Sequence, residues 1–142
     1  VWDIEKATVT ASFLEHKSEI LTCKFTPDGT SIAGGAIDGT IKLWDTRISK
    51  MIQHYNAHEN AVNRLAFHPL GYHMASVSND NKIKIWDLKH GTLGWTLYGH
   101  QGAIKSIDFN QKGDYFATTG EDKLVMIWMS NFDKEINGTF CF

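Results

Sequence analysis

The chain has 142 residues and a net charge of −2, with 42% hydrophobic and 21% charged residues, the balance of a folded domain rather than a disordered one. Lys and Arg are scattered, and the densest basic stretch, Lys82, Lys84 and Lys89, reads as solvated strand and loop positions, which excludes an electrostatic footprint for nucleic acid or an anionic membrane. No apolar run approaches the ~20 residues of a membrane helix.

Trp2, Trp44, Trp86 and Trp128 are each 42 residues apart, and His16, His58 and His100 keep the same step. Phe25, Phe67 and Phe109 follow it, as do Gly29, Gly71 and Gly113, and Asp38, Asp80 and Asp122. A fixed period of this length marks an array of one structural unit.

Residues 1–15 come first. Val1-Trp2-Asp3 matches the end of a unit, so the expectation is that the chain starts inside one, with residues 7–13 as its orphan outer strand. Residues 16–57 and 58–99 form two full units. In the second, Val62, Leu65 and Phe67 are spaced by three and then two. Strict strand alternation gives two and two, so a bulge is predicted near the start of the first strand. A turn at Pro69 and Gly71 leads to a second strand around Met74 to Val77. A tight turn at Asp80-Asn81 follows; its counterpart Asp38-Gly39 is a strong hairpin signal and Asp122-Lys123 a poor one. The third strand carries Ile83, Ile85 and Trp86, and the fourth runs near Leu93 to Leu97. Residues 100–129 supply three such strands. In the tail, 130–142, the stretch from Ile136 to Phe142 is either a fourth strand for that last unit or unstructured.

Ile83 and Ile85 point to one side of their strand and Trp86 to the other. A sheet that is apolar on both faces needs cover on both, which stacked units supply for each other. Two complete sets of strands, a three-stranded set and an orphan strand make three units and a fraction, which cannot close a ring of about four to eight. An open arc is therefore expected, with apolar end faces and an unpaired edge beside Trp128. Cys23 shares its position with Leu65 and Ile107, so it reads as a small core residue. With Cys141 the only other cysteine, a reducing compartment fits. Asn137-Gly138-Thr139 matches a glycosylation triplet, read as a chance match.

Gly99-His100, the Asp of the second hairpin, and Trp-Asp at 44–45 and 86–87 resemble the WD-repeat β-propeller pattern over residues 1 to 129. Departures are Glu15 and Ala57 in place of Gly before His, and Met129 in place of the final Asp. The resemblance implies an all-β fold, a partial β-propeller arc of four-stranded antiparallel blades. It also implies a structural hydrogen-bonded chain of Trp, Ser or Thr, His and Asp in each unit: His16, Asp38 and Trp44; His58, Ser76, Asp80 and Trp86; His100, Thr118, Asp122 and Trp128.

Those residues imitate a Ser-His-Asp triad, but the set recurs in every unit whereas a catalytic site is single. A Trp also follows each Asp by six residues, and the first unit has Gly34 where the hydroxyl belongs. The reading is non-enzymatic, with no catalytic residue and no small-molecule substrate. The seven His lack the spaced partners of a metal site, and Gly34-Gly35 lacks the Lys-Ser/Thr of a phosphate loop, so neither metal nor cofactor is expected.

Gln53-His54-Tyr55, Phe67-His68-Pro69-Leu70-Gly71, Gly99-His100-Gln101-Gly102, Asp114-Tyr115-Phe116-Ala117 and Ser130-Asn131-Phe132-Asp133 resemble the last propeller repeats of the centriolar family called proteome of centriole protein 1. That likeness implies a scaffold for centriole and basal body assembly, in the cytoplasm and cytoskeleton, with centriolar or microtubule-associated proteins as partners, tubulin among them. The near-neutral charge gives no electrostatic argument for acidic tubulin. The alternative is a WD-repeat adaptor elsewhere, such as a ubiquitin-ligase substrate receptor or a microtubule-severing regulator. Candidates for the partner surface are Lys17, Glu59 and Gln101 on the His-bearing loops, and Ile37, Asn79 and Glu121 before the hairpin Asp. Ile37 is singled out because an apolar residue at a loop tip gains from being covered.

Overall fold

The computed structural model describes residues 1–132; the tail strand expected at 136–142, the triplet at 137–139 and Cys141 lie outside them. The described residues form strands only. A short sheet pairs β1 (Trp2–Asp3) with β2 (Thr8–Val9). The first full sheet runs in sequence order through β3 (Ile20–Phe25), β4 (Ser31–Ala36), β5 (Thr40–Asp45) and β6 (Lys50–Asn56). The second runs through β7 (Val62–Phe67), β8 (His73–Ser78), β9 (Ile83–Asp87) and β10 (Thr92–Leu97). The third holds β11 (Ile104–Phe109), β12 (Tyr115–Gly120) and β13 (Val125–Met129). All pairings are antiparallel meanders.

The odd apolar spacing of the first strands is a bulge in every unit. Leu21, Asn63 and Lys105 are the extra residues, skipped between Ile20 and Thr22, Val62 and Arg64, and Ile104 and Ser106. A second periodic bulge, which apolar spacing did not signal, falls at Ile52 in β6 and Gly94 in β10. The left-handed backbone positions are periodic too. Among the described residues they are Ala7, Ser49 and Gly91; Gly29, Gly71 and Gly113; and Gly39, Asn81 and Lys123. The poor turn signal at Asp122-Lys123 therefore makes the same hairpin, with Lys123 forced to φ 67°.

The second sheet feeds a different core from each face. Ala33, Ile41 and Leu43 of the first sheet pack with Val62, Leu65, Met74 and Trp86 of the second. On the opposite face of the second sheet, Ala75, Val77, Ile83 and Ile85 pack with Ile104, Ile107 and Phe116 of the third. Ile83 and Ile85 thus lie on one side of β9 and Trp86 on the other, as the strand's alternation requires.

The sheets do not close on one another, and position alone decides exposure at the ends. Val125 and Ile127 are 69% and 74% exposed, whereas Ile83 and Ile85 at the same repeat positions are fully buried. Phe25 is 51% exposed against 8% for Phe67. Cys23 corrects the expectation of a core residue: it is exposed, because among the described residues no sheet lies on the β3 face that the first sheet supplies for Leu65. The outer strand expected over 7–13 is also shorter, pairing only at Thr8–Val9. The amides of Thr10 and Ala11 converge on the Val1 carbonyl, where the ladder runs out of partners.

Candidate functional site

The polar residues common to the units converge at one end of each sheet, where the loop leading into the first strand meets the hairpin between the second and third. Main-chain bonds from Ile37 to Glu19, Asn79 to Ala61 and Glu121 to Ala103 hold these two loops together.

In the second unit, the Trp86 indole N–H donates to Ser76 Oγ at 2.9 Å, and His58 Nε2 lies 2.8 Å from the same oxygen. His58 Nδ1 lies 2.9 Å from Asp80 Oδ2. Every proton has one place if the imidazole is neutral: Nδ1–H donates to the carboxylate and Nε2 accepts the serine hydroxyl. Asp80 also accepts the amides of Glu59 and Lys82, at 3.2 Å and 3.0 Å. The His58 side chain and Ser76 have no exposure. Burial pushes the His58 imidazole below its ordinary value of 6.5, with the Asp80 charge opposing. For Asp80, burial acts upward, but His58 and the two amides outweigh it and hold the carboxyl below 3.8.

The third unit repeats this with Thr118. Its Oγ1 accepts the Trp128 indole at 2.9 Å and lies 2.8 Å from His100 Nε2, while His100 Nδ1 is 2.7 Å from Asp122. The Gln101 and Leu124 amides complete Asp122, at 3.0 Å and 3.1 Å.

The first unit is wired differently. With no hydroxyl at Gly34, the Trp44 indole donates to the Glu15 carboxylate at 2.8 Å, which holds that carboxyl below its ordinary range. His16 Nε2 donates to the Gly34 carbonyl at 3.3 Å, and Nδ1 faces Thr40 Oγ1 at 3.5 Å. Asp38 accepts the Thr40 hydroxyl at 2.7 Å and its amide at 3.0 Å, and the carboxyl is held down to about 2, chiefly by that hydroxyl. His16, Asp38 and Trp44 are thus neighbours without forming the continuous chain of the other units. The sequence marks Glu15 only as a departure from the Gly that precedes His in the repeat. The signal lay in two departures, Glu in place of Gly before His and Gly in place of the hydroxyl, which compensate each other.

The partner-surface candidates all lie at this end. Lys17 and Ile37 are exposed, Ile37 to 49%. Glu59 pairs with Lys82 at 3.0 Å. Asn79 accepts Asn63 at 2.7 Å and Lys105 at 3.1 Å, and Lys105 in turn pairs with Glu121 at 2.9 Å. Gln101 is exposed, its side chain 3.5 Å from the Gly99 carbonyl. The bulge residue and the residue sixteen positions later are chemically matched in each unit: Asn63 with Asn79, Lys105 with Glu121, and the apolar Leu21 with Ile37. Among the described residues no group of three or more His, Cys, Asp or Glu could hold a metal ion, and no helix is long and apolar enough to cross a membrane.

Serine and imidazole that no solvent reaches cannot meet a substrate, so this geometry serves as a brace between strands and loops. The fold has solved relatives: the structure of U3-55K superposes with a TM-score of 0.81 at 22% identity, over 85% of this chain and 38% of that one. The Arabidopsis thaliana Periodic tryptophan protein 2 is 37% identical over 46 residues, which is 32% of this chain and 5% of that protein. The Danio rerio guanine nucleotide-binding protein subunit beta-5b is 36% identical over 44 residues, 31% of this chain and 11% of that protein. The chain thus spans a small part of the curated relatives it matches. The WD domain, G-beta repeat family matches residues 7–45, 49–87 and 91–129. Each matched stretch begins with the outer strand of one sheet and ends with the third strand of the next, so the sequence repeat ties neighbouring sheets together covalently. On its periodicity, its stacked four-stranded sheets and these matches, the chain belongs to the WD-repeat family.

Proposed function

We propose that this chain is a non-catalytic scaffold that holds protein partners on the face formed by its His-bearing loops and second hairpins, and that it works at the centriole and basal body. WD-repeat proteins are generally protein-interaction scaffolds. The observation that carries the choice of face is Ile37: it is half exposed at a position where Asn79 and Glu121 are engaged by neighbouring side chains. An apolar residue next to a braced polar rim gains from being covered by a partner. The centriolar placement rests on the likeness of the segments around Gln53, Phe67, Gly99 and Asp114 to that family. Partners would be centriolar or microtubule-associated proteins.

A fluorescently tagged chain expressed in ciliated cells tests both parts. The chain is expected at centrioles, and Ile37→Asp is expected to lose that signal with its unfolding midpoint unchanged. A diffuse signal from the unsubstituted chain would refute the centriolar placement. Undiminished targeting of Ile37→Asp would refute the choice of surface.

A further inference from the structure

At the opposite end of the strands, the first two sheets enclose a groove of about 490 Å³, within the roughly 300–1,000 Å³ range of ligand-binding clefts. Its walls include Pro27, Ile52, Pro69, Leu70 and Tyr72, and Asp28 is the one charged side chain lining it. Leu70 and Tyr72 are exposed at its mouth.

The equivalent space between the second and third sheets is full. Phe132 lies there with its ring centroid 5.1 Å from His73, 5.4 Å from Trp95 and 6.0 Å from His68, stacked on the indole. Moving each of these residues back by one 42-residue period gives Ser31, Gln53 and Thr26, all lining the open groove, and His90 in place of Phe132. His90 is turned away, bonded to Asp87 at 2.7 Å with most of its ring exposed. The open groove is therefore the period-equivalent of a space that an aromatic ring fills, with Thr26, Ser31 and Gln53 in place of His68, His73 and Trp95 and no counterpart of Phe132 inside it.

We propose that this groove docks a partner peptide that inserts an aromatic side chain, with a basic residue beside it. The aromatic preference follows from what fills the sister space. The basic preference follows from charge. Arg47, the nearby cation, is committed to Asp45 through contacts of 2.5 Å and 3.1 Å and feels the Asp28 charge only as a weaker, longer-range attraction. The Asp28 carboxylate, oriented by Thr26 and Thr30, faces the groove without a cationic side chain in its lining.

The test is a titration of the 15N-labelled chain with a short amidated peptide carrying one phenylalanine next to one arginine, and with the same peptide carrying alanine for phenylalanine. The expected result is amide shifts confined to the 28–31, 52–53 and 70–72 segments, and affinity at least about tenfold weaker for the alanine peptide. Gln53→Trp, which restores the indole that stacks on the ring in the sister space, is expected to tighten binding of the phenylalanine peptide and not of the alanine peptide. Tyr72→Ala, at an exposed position that the fold does not need, provides a second reading. Asp28→Asn is expected to flatten the salt dependence of binding. Equal affinity for the alanine peptide, shifts centred elsewhere, or full binding by Tyr72→Ala together with weaker binding by Gln53→Trp would overturn the proposal. So would concentration-dependent shifts in the groove without peptide, which would assign it to a second copy of the chain. Ile37→Asp lies at the other end of the strands and is expected to leave the titration unchanged, so failure of the scaffold surface and failure of this groove are separable.

Discussion

Replacing Ser76 by Ala isolates the hydroxyl at the centre of the second brace, because it removes one oxygen and leaves the packing carbons in place. Two buried groups lose their partner: the Trp86 N–H, 2.9 Å away, and His58 Nε2, 2.8 Å away. Each unsatisfied buried group costs about 1–3 kcal/mol, and the two share one relaxation, so a total of about 2–4 kcal/mol is expected. At this chain length about 3–4 °C accompanies each kcal/mol, giving a fall of about 6–16 °C in the melting midpoint. Ser76→Thr is the control, since Thr118 fills the same role in the third unit, and it is expected to stay within about 1 kcal/mol of the parent. Glu15→Ala removes the acceptor of Trp44 in the first unit. Glu15 is exposed, so water can take over, and the cost is expected to stay below about 1 kcal/mol. Urea and thermal unfolding followed by tryptophan fluorescence measure all three. A Ser76→Ala chain within about 0.5 kcal/mol of the parent, or a ranking in which Glu15→Ala costs more, would refute the argument that burial makes these bonds count.

Two further outcomes follow from the same geometry. Because burial holds the folded His58 imidazole below 6.5, the unfolded chain takes up the proton first on acidification. This contribution to stability is therefore complete above about pH 6.5 and declines as pH falls through that value toward the folded pKa. The Asp80 contribution, with the carboxyl held below 3.8, is present above the unfolded value and is lost as pH falls through the folded one. Urea midpoints are thus expected to drop between about pH 7.5 and about pH 5.5, and a rise over that interval would contradict a buried neutral imidazole. At the second hairpins, Lys123→Gly relieves a left-handed lysine at φ 67° and is expected to stabilise by about 0.5–1 kcal/mol. Gly39→Ala is expected to cost about 2 kcal/mol or more, because its φ is 80° and its Cβ would stand 2.2 Å from the His58 carbonyl oxygen. Equal midpoints for these two variants would show that backbone strain does not govern the turn.

Period and alternation were enough to read the all-β unit, its bulged first strand and the two-sided burial of Ile83 and Trp86, because each depends on neighbours within one repeat. The components of the polar braces followed from the resemblance to the WD-repeat pattern, and spacing alone did not fix their wiring, since the first unit keeps His, Asp and Trp at the same period yet bonds differently. Context between sheets was not legible. Cys23 carries the pattern of a core residue yet is exposed, since its burial depends on a neighbouring sheet that its own strand does not encode. Glu15 is in sequence only a departure from Gly, and its carboxylate meets Trp44 through a contact 29 residues apart that the fold alone supplies. Phe132 and the groove that lacks its counterpart required two sheets to be placed side by side. Chain order determines which residues a repeat contains, but side-chain reach between sheets is a property of their packing, and only the tertiary structure decides which spaces are filled and which stay open.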